Sequence, residues 1–397
     1  MNHLPAILGH APAFEKLVPI ARPLLPKLSE LTSDLEICLD TGILAKGPHR
    51  DIFEQAVAQY LGVRNAVAVS NCTSGLMLAY RGLELSGDVI VPSFTFMATV
   101  SALVWAGLRP VFADVDSGTT NLDPSAVEAA LTPATTAIVG VHNSGNPAEI
   151  DELEQLAERH NLFLIFDAAH AFGSRYKKMH LGRQGDAQVF SLSPTKVLAA
   201  GEGGIVATDD DRLAERIRVG REFGHRGNYD SEFPGLNARL PEFNALLGQH
   251  SLRKLDAAVL HRNEIARTYR QRLKQLPGVT FQELGEGNLS CYKDFSIMID
   301  ATAFGLNRDQ LAAVLTAENI ETRTYFDPPV HRQIAYRCYA PPTGALPNTE
   351  LLSETILNLP IWSDMDMSIV SRICSVIETA HACAEPIQRQ LRRVATA

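Results

Sequence analysis

The sequence predicts an α/β protein: a large domain with a mostly parallel seven-stranded sheet flanked by helices, plus a smaller C-terminal α+β domain. Three observations predict it. Seven short apolar runs (66–69, 88–91, 110–113, 137–141, 162–166, 189–192 and 205–208) recur between residues 65 and 208, mostly separated by stretches of helical pattern, the spacing of repeated βα units. The run 162–166 is apolar at five consecutive positions and flanked by polar residues, as in a strand buried on both faces. A chain of 397 residues with 46% hydrophobic content has enough material for a large core and two domains.

In chain order, residues 1–26 carry Pro5, Pro12, Pro19 and Pro23 with little periodicity, which predicts an irregular arm able to pack across a second subunit. Residues 40–48 read as a turn-rich loop before an amphipathic helix over 50–60. Ser70-Asn71-Cys72-Thr73-Ser74-Gly75 joins the first strand to its helix. Small residues there let N–H groups and hydroxyls approach an anion at the positive helix end, which makes Thr73 and Ser74 candidate phosphate ligands. Ser and Thr also favour that place simply as caps. Phe94 and Phe96 follow the second strand, where a flat aromatic can either stack on a ring ligand or fill the core.

His142 and Asn143 follow the fourth strand, and a structural role for this histidine is open beside a functional one. A helix is expected over 211–224, and a long one over 242–275 that connects to the second domain. There, 279–283, 292–299, 320–325 and 357–361 read as strands, 307–318 and 365–381 as helices, and 389–397 as a loose tail. The expected division is an arm over 1–26, a large domain over 27–250 and a small domain over 251–397.

Asp167 closes the fifth apolar run, at the carboxyl end of a buried strand, where open α/β sheets place their ligands. Lys196 lies between the sixth and seventh runs, before Gly201-Glu202-Gly203-Gly204 turns the chain into the last strand. A lysine held between strands usually has a partner. An acid at one strand end and a lysine on a neighbouring strand are what pyridoxal phosphate needs: the amine forms a Schiff base with the aldehyde, and the carboxylate keeps the ring nitrogen protonated so that the ring accepts electrons. A structural ion pair would bring the same two residues together.

The segments FDAAHAFG (166–173), GDAQVFSLSPTK (185–196) and GEGG (201–204) resemble the DegT/StrS family of nucleotide-sugar aminotransferases, which belong to the fold-type I class of pyridoxal-phosphate enzymes. The resemblance runs from about residue 17 to about residue 380. It implies that Lys196 is the catalytic Schiff-base lysine, Asp167 the ring-nitrogen carboxylate, His170 a residue beside the ring hydroxyl, and Ser191 a phosphate ligand. It favours Thr73 and Ser74 as further phosphate ligands and Phe96 as the residue stacked on the ring, leaving Phe94 to packing. Gly235-Leu236-Asn237-Ala238-Arg239 resembles the segment by which one subunit reaches its neighbour's site, with Asn237 on the phosphate. A homodimer with shared active sites follows. Arg239 would hold a substrate carboxylate or only a structural pair, and His331, in Pro328-Pro329-Val330-His331-Arg332-Gln333, would lie at the substrate entrance. Two departures stand out: an aromatic often occupies the place of Ile43, and Asn the place of Val197.

The implied activity moves an amino group from L-glutamate to a dTDP-linked keto-6-deoxysugar, with the ketone at the 4-position, by ping-pong kinetics. A 3-keto sugar or a cyclitol ketone is the alternative acceptor, and a non-catalytic regulator retaining the cofactor is a further alternative. Dehydratase relatives carry histidine in place of the lysine, so Lys196 argues against that chemistry. The first strand-to-helix turn has no GxGxxG, which argues against a dinucleotide oxidoreductase.

A net charge of -9 with only short basic runs argues against nucleic acid as a partner. The six cysteines are scattered without CxxC spacing, as expected of free thiols in a reducing compartment, with no metal site. The N-terminus lacks a basic n-region and no apolar stretch is long enough to span a bilayer, so a cytoplasmic protein with no membrane partner is expected.

Overall fold

The computed structural model describes residues 4–395; the first three residues of the expected arm and the last two of the expected tail lie outside it. Strands β1 (Asn65–Val69), β2 (Asp88–Pro92), β3 (Arg109–Ala113), β4 (Thr135–Val141) and β5 (Phe163–Asp167) are followed by the hairpin β6 (Arg175–Tyr176) and β7 (Met179–His180), then β8 (Ala187–Ser191) and β9 (Gly204–Thr208). All except the hairpin form one seven-stranded sheet in the order β1-β9-β8-β5-β4-β2-β3. Only β9 runs antiparallel to its neighbours.

Alternation within the strands buries both faces of this sheet. Ala66, Ala68, Ile90, Ile138, Leu164, Phe166, Phe190 and Ile205 face one core. Val67, Val69, Val89, Val91, Val139, Ile165, Val189 and Val206 face the other. The first core is covered by α2 (Pro48–Leu61), α5 (Pro124–Ala130), α6 (Ile150–His160) and the first half of α8 (Glu242–Leu273). The second is covered by α3 (Cys72–Gly82), α4 (Met97–Trp105) and α7 (Asp211–Gly220). Helices on both faces explain why the strands read as continuous apolar runs and not as an alternating pattern.

The second half of α8 enters a separate core with the antiparallel sheet β10 (Val279–Phe281), β11 (Phe295–Ile299) and β12 (Ile356–Leu359). Tyr269, Phe295, Ile297, Leu357 and Leu359 meet there with α10 (Arg308–Ala317) and α12 (Met367–Ala382). The short α9 (Ala301–Phe304), α11 (Pro347–Thr355) and the terminal α13 (Ala384–Ala395) complete the chain, with α1 (Leu28–Thr41) following the N-terminal arm.

Four expectations are corrected. Residues 320–325 are not a strand: they form isolated bridges at Val18–Ile320 and at Arg323–Asn358, on the edge of β12, and no continuous ladder follows. The stretch 389–395 belongs to α13 and is not a loose tail, since Ile387 is buried and Leu391 packs against the small-sheet core. Helix α1 runs through Asp40 and Thr41, placed in a loop by their turn chemistry, and stops where Gly42 takes φ 67°. Helix α7 ends at Gly220, four residues before the expected end.

Glu242 joins α8 to α2. Its fully buried carboxylate accepts hydrogen bonds from the amides of Gly47 at 3.0 Å, His49 at 2.8 Å and Arg50 at 3.3 Å, satisfying donors that begin α2 and have no intrahelical partner. Glu242→Ala would leave those donors unpaired in a dry contact and is expected to destabilise the protein by about 3 kcal/mol. Denaturant unfolding checks this; a loss under about 1 kcal/mol would show that water or backbone shifts replace the carboxylate.

Among the described residues, no helix is long and apolar enough to cross a membrane. All six cysteines are free thiols.

Candidate active site

The carboxyl ends of β1, β2, β4, β5 and β8 converge on one cavity of about 380 Å³, a volume suited to a small-molecule site. Its walls include Asn71, Cys72 and Thr73 from the β1–α3 junction, Phe96 beyond β2, Asp167 and His170 beyond β5, and Ser191, Ser193 and Lys196 around the β8–β9 loop. Lys293, Tyr325 and Phe326 close it from the small-sheet side. A larger hollow of about 640 Å³ beside Arg308 holds no lysine, histidine or cysteine, so the smaller cavity is the one equipped for chemistry.

Asp167 ends β5 and is 5% exposed. Thr99 donates its hydroxyl to one carboxylate oxygen at 2.7 Å, and the Ala169 amide donates to the other at 3.0 Å. No cation lies within ion-pair distance of it among the described residues. Burial raises its pKa above the usual 3.8; the two hydrogen bonds and the charge of Lys196 pull the other way. The thiol of Cys72, 3.8 Å away, is pushed well up by burial and by this carboxylate.

Lys196 sits in the loop between the antiparallel neighbours β8 and β9, its amide bonded to the Ser193 carbonyl at 3.0 Å. Its amine faces the cavity with no hydrogen bond or ion pair to any described residue. Burial, reinforced by the like charge of Lys293, lowers its pKa to about 8, so near neutral pH a useful share is free base.

The β1–α3 junction is capped by Asn71, whose side chain accepts the Ser74 amide at 2.8 Å. Thr73 faces the cavity, whereas the Ser74 hydroxyl bonds the Ser70 hydroxyl and the Asn71 carbonyl, both at 2.9 Å. Across from them Gly204 opens β9. A Cβ on Gly204 would stand 2.7 Å from the Asn71 backbone, so glycine is what lets this strand approach the helix start. Ser191, at the end of β8, is buried and faces the cavity.

His170 accepts the Ser144 amide on Nδ1 at 3.3 Å, and its ring lies 6.3 Å from that of Phe326 at 17°. Burial first, then the charges of Lys196 and Lys293, hold its pKa well below 6.5, so it is neutral. Phe96 stands at the mouth, half exposed, while Phe94 is buried against Phe326.

Of the residues singled out in the sequence, His142, Asn143, Asn237, Arg239 and His331 do not line the cavity, and the Asn143 side chain donates to the Thr120 hydroxyl at 3.0 Å. The fully buried His142 stacks on Phe166 at 4.7 Å and accepts the Ala148 amide, a structural role. His331 is held between the Ser93 hydroxyl at 2.7 Å and Glu350 at 2.8 Å, pinning residues 328–333 against the large domain. Asn237 is exposed and accepts from Arg239 at 3.1 Å, and Arg239 in turn lies over Phe223. Conversely, Lys293, Tyr325 and Phe326 escaped sequence reasoning. The one signal was a Lys-Asp pair at 293–294 opening an otherwise apolar strand.

The model of the DegT/DnrJ/EryC1/StrS aminotransferase family matches residues 28–378. The chain is 34% identical over 383 residues to the spore coat polysaccharide biosynthesis protein SpsC of Bacillus subtilis (strain 168), covering 91% of this chain and 96% of that one. It is similar in structure to DesI, crystallised in the presence of its TDP-sugar product: TM-score 0.90, 38% identity, 98% of each chain. Helicobacter pylori PseC, an aminotransferase involved in the biosynthesis of pseudoaminic acid, superposes with TM-score 0.85 at 28% identity, over 92% of this chain and 99% of that one.

Proposed function

Because the chain belongs to the DegT/DnrJ/EryC1/StrS aminotransferase family and is a sugar aminotransferase, we propose that it transfers the amino group of L-glutamate to the ketone of a dTDP-linked 4-keto-6-deoxysugar, with pyridoxal phosphate held covalently by Lys196. Aminotransferases of this family depend on pyridoxal phosphate. The observation that carries the reading is the pairing, in one cavity, of an unpartnered lysine amine with a buried carboxylate that has no cation beside it.

The residues fit such a cofactor. A buried carboxylate without a counter-ion suits a protonated ring nitrogen. The start of α3, approached closely by Gly204 and flanked by the hydroxyls of Thr73 and Ser191, suits a phosphate. Ser74 and, from a second subunit, Asn237 would complete that cradle. When bound, the cofactor delocalises the electron pair left as a proton leaves the carbon bearing nitrogen. Asp167 holds the ring nitrogen protonated. The Lys196 amine, free base for part of the time at neutral pH, would take the proton from the substrate carbon and hold it for return. Neutral His170 would donate a hydrogen bond to the bound cofactor without adding charge beside it, and Phe96, at the cavity mouth, would cover its ring.

The screen that tests this loads purified protein with pyridoxal phosphate and L-glutamate, then offers keto-sugar nucleotides and reads amine formation by mass. Conversion of a dTDP-linked 4-keto sugar is expected. Reaction of 3-keto sugars or cyclitol ketones alone would end the acceptor assignment and leave the cofactor assignment standing.

A homodimer with shared sites is part of the same proposal. Leu28, Ile37 and Leu39 of α1 are exposed apolar side chains that a second subunit would cover, and the side chain of exposed Asn237 bonds only Arg239 within its own chain. Co-expressing Lys196→Ala with Asn237→Ala chains is expected to yield more activity than either variant alone, because mixed dimers assemble one intact site. Activity no greater than the better parent would mean that each chain works with its own Asn237 or without it.

A further inference from the structure

Lys293 is an unusual group to find in the wall of the cavity. It lies in the bend two residues before β11, is 5% exposed, and bonds the equally buried Asp294 at 2.8 Å while lying 5.2 Å over the Tyr325 ring. The pair is oriented: Lys293 lines the cavity and Asp294 does not, and the second Asp294 oxygen has no partner. A buried ion pair of this kind gives little stability over apolar packing, so its retention calls for another reason. It also sets two lysines in one cavity, and the charge of Lys293 is the largest influence on the Lys196 amine after burial. Asp167 is the one buried carboxylate in the same wall; Glu202 stands at the exposed rim.

We propose that Lys293, anchored by Asp294, is a substrate-binding residue that grips the carboxylate beside the amino-bearing carbon of the donor amino acid. The inference rests on the assignment of Lys196 made above. Lys293 closes the cavity from the small-sheet side, where its charge reaches Lys196 and His170, whereas Cys72 and Thr73 at the start of α3 wall the cavity from the large-sheet side. The anion it serves therefore sits near the transferred nitrogen and away from the phosphate cradle. In an α-amino acid the carboxylate is attached to the very carbon that carries the nitrogen. In a 4-keto sugar nucleotide the diphosphate is separated from the reacting carbon by the width of the sugar ring, so the donor carboxylate is the anion within reach. Its arrival between two lysines relieves their repulsion, and departure of the oxo-acid restores it.

Two measurements test this. In cofactor-loaded protein, Lys293→Met is expected to raise the glutamate concentration needed for half-maximal single-turnover amino transfer by about tenfold or more, and to leave the keto-sugar concentration needed for half-maximal transfer within about twofold, whatever it does to the rate of either half-reaction through Lys196. In cofactor-free protein, calorimetric binding of glutarate, which has no amino group to react, should weaken by the same factor. Lys293→Arg should restore most of both. Because Lys293→Met strands the buried Asp294, the double variant Lys293→Met/Asp294→Asn is measured alongside and should behave the same way. Unchanged glutarate binding in the double variant, or a loss confined to the sugar nucleotide, overturns the proposal. A protein that takes up no pyridoxal phosphate would overturn the Lys196 assignment instead, with the glutarate titration still reporting on Lys293.

Discussion

Replacing Lys196 by alanine is expected to lower amino transfer by about 10³–10⁴-fold, the largest effect of any single substitution in this protein, because one amine both anchors the cofactor and carries the proton. The cavity supplies no substitute. His170 is held neutral by burial, and the Lys293 amine is committed to Asp294. Lys196→Arg should be no better, since a guanidinium stays protonated and neither attacks a carbonyl nor accepts a proton at neutral pH. Borohydride reduction of cofactor-loaded protein followed by peptide mapping gives the complementary reading, with the label at residue 196 in the parent and absent from the alanine variant. Retention of activity within tenfold, or a label elsewhere, would remove Lys196 from its role.

Asp167→Asn should produce two effects of opposite sign. Activity is expected to fall by about 10²–10³-fold, because an amide cannot hold the ring nitrogen protonated and this charge interaction operates in a water-excluded site. The cofactor-free protein, however, should gain stability, about 1 kcal/mol or a rise in Tm of about 2 °C at neutral pH. The carboxyl of Asp167 titrates above the usual 3.8 because it is buried. Between 3.8 and the raised folded value the native state holds a proton that the unfolded chain has lost, so stability falls as pH rises through that window and stays lower above it. Asparagine is neutral throughout and can still pair with the Ala169 amide through oxygen and with the Thr99 hydroxyl through nitrogen. Thermal melts of both cofactor-free proteins across pH 3 to 8 check the sign: the curves should converge at the acidic end. A variant less stable than the parent at pH 7 would mean that the carboxylate is better paired than its surroundings suggest.

That opposition bears on what can be read from sequence. The seven strands of the large sheet are legible because they are largely buried on both faces, so their apolar runs are nearly continuous, and Asp167 stands out as a charge closing one run and Lys196 as a charge between two others. Helix α1 is not legible in the same way. Only Leu31 and Cys38 of its fourteen residues are buried, and Leu28, Ile37 and Leu39 face outward, so its apolar residues do not trace one stripe. The C-terminal α13 shows the converse error. Its arginines suggest a solvated tail, yet Ile387 and Leu391, four apart on one face, dock it on the small-sheet core. Residues 320–325 have the composition of a strand but meet the edge of the small sheet only where Arg323 bridges Asn358 of β12, which is a property of the assembled fold and of no local segment. The small-sheet wall of the cavity, with Lys293, Tyr325 and Phe326, was hidden for the same reason: these residues lie 97 or more positions beyond Lys196 and meet it only after α8 folds the second core against the first.

The reversal of β9 within the large sheet has a consequence for how such an enzyme can be changed. Because β9 returns directly beside β8, and β8 lies beside the strand ending in Asp167, the two groups that handle protons ride on three adjacent rungs of a single rigid panel. The facing panel is drawn from another part of the chain. Laboratory evolution toward a new acceptor can therefore confine its mutations to Tyr325, Phe326 and their immediate neighbours, sparing Lys293 and Asp294, and reshape the opposite wall while the reacting pair keeps its spacing.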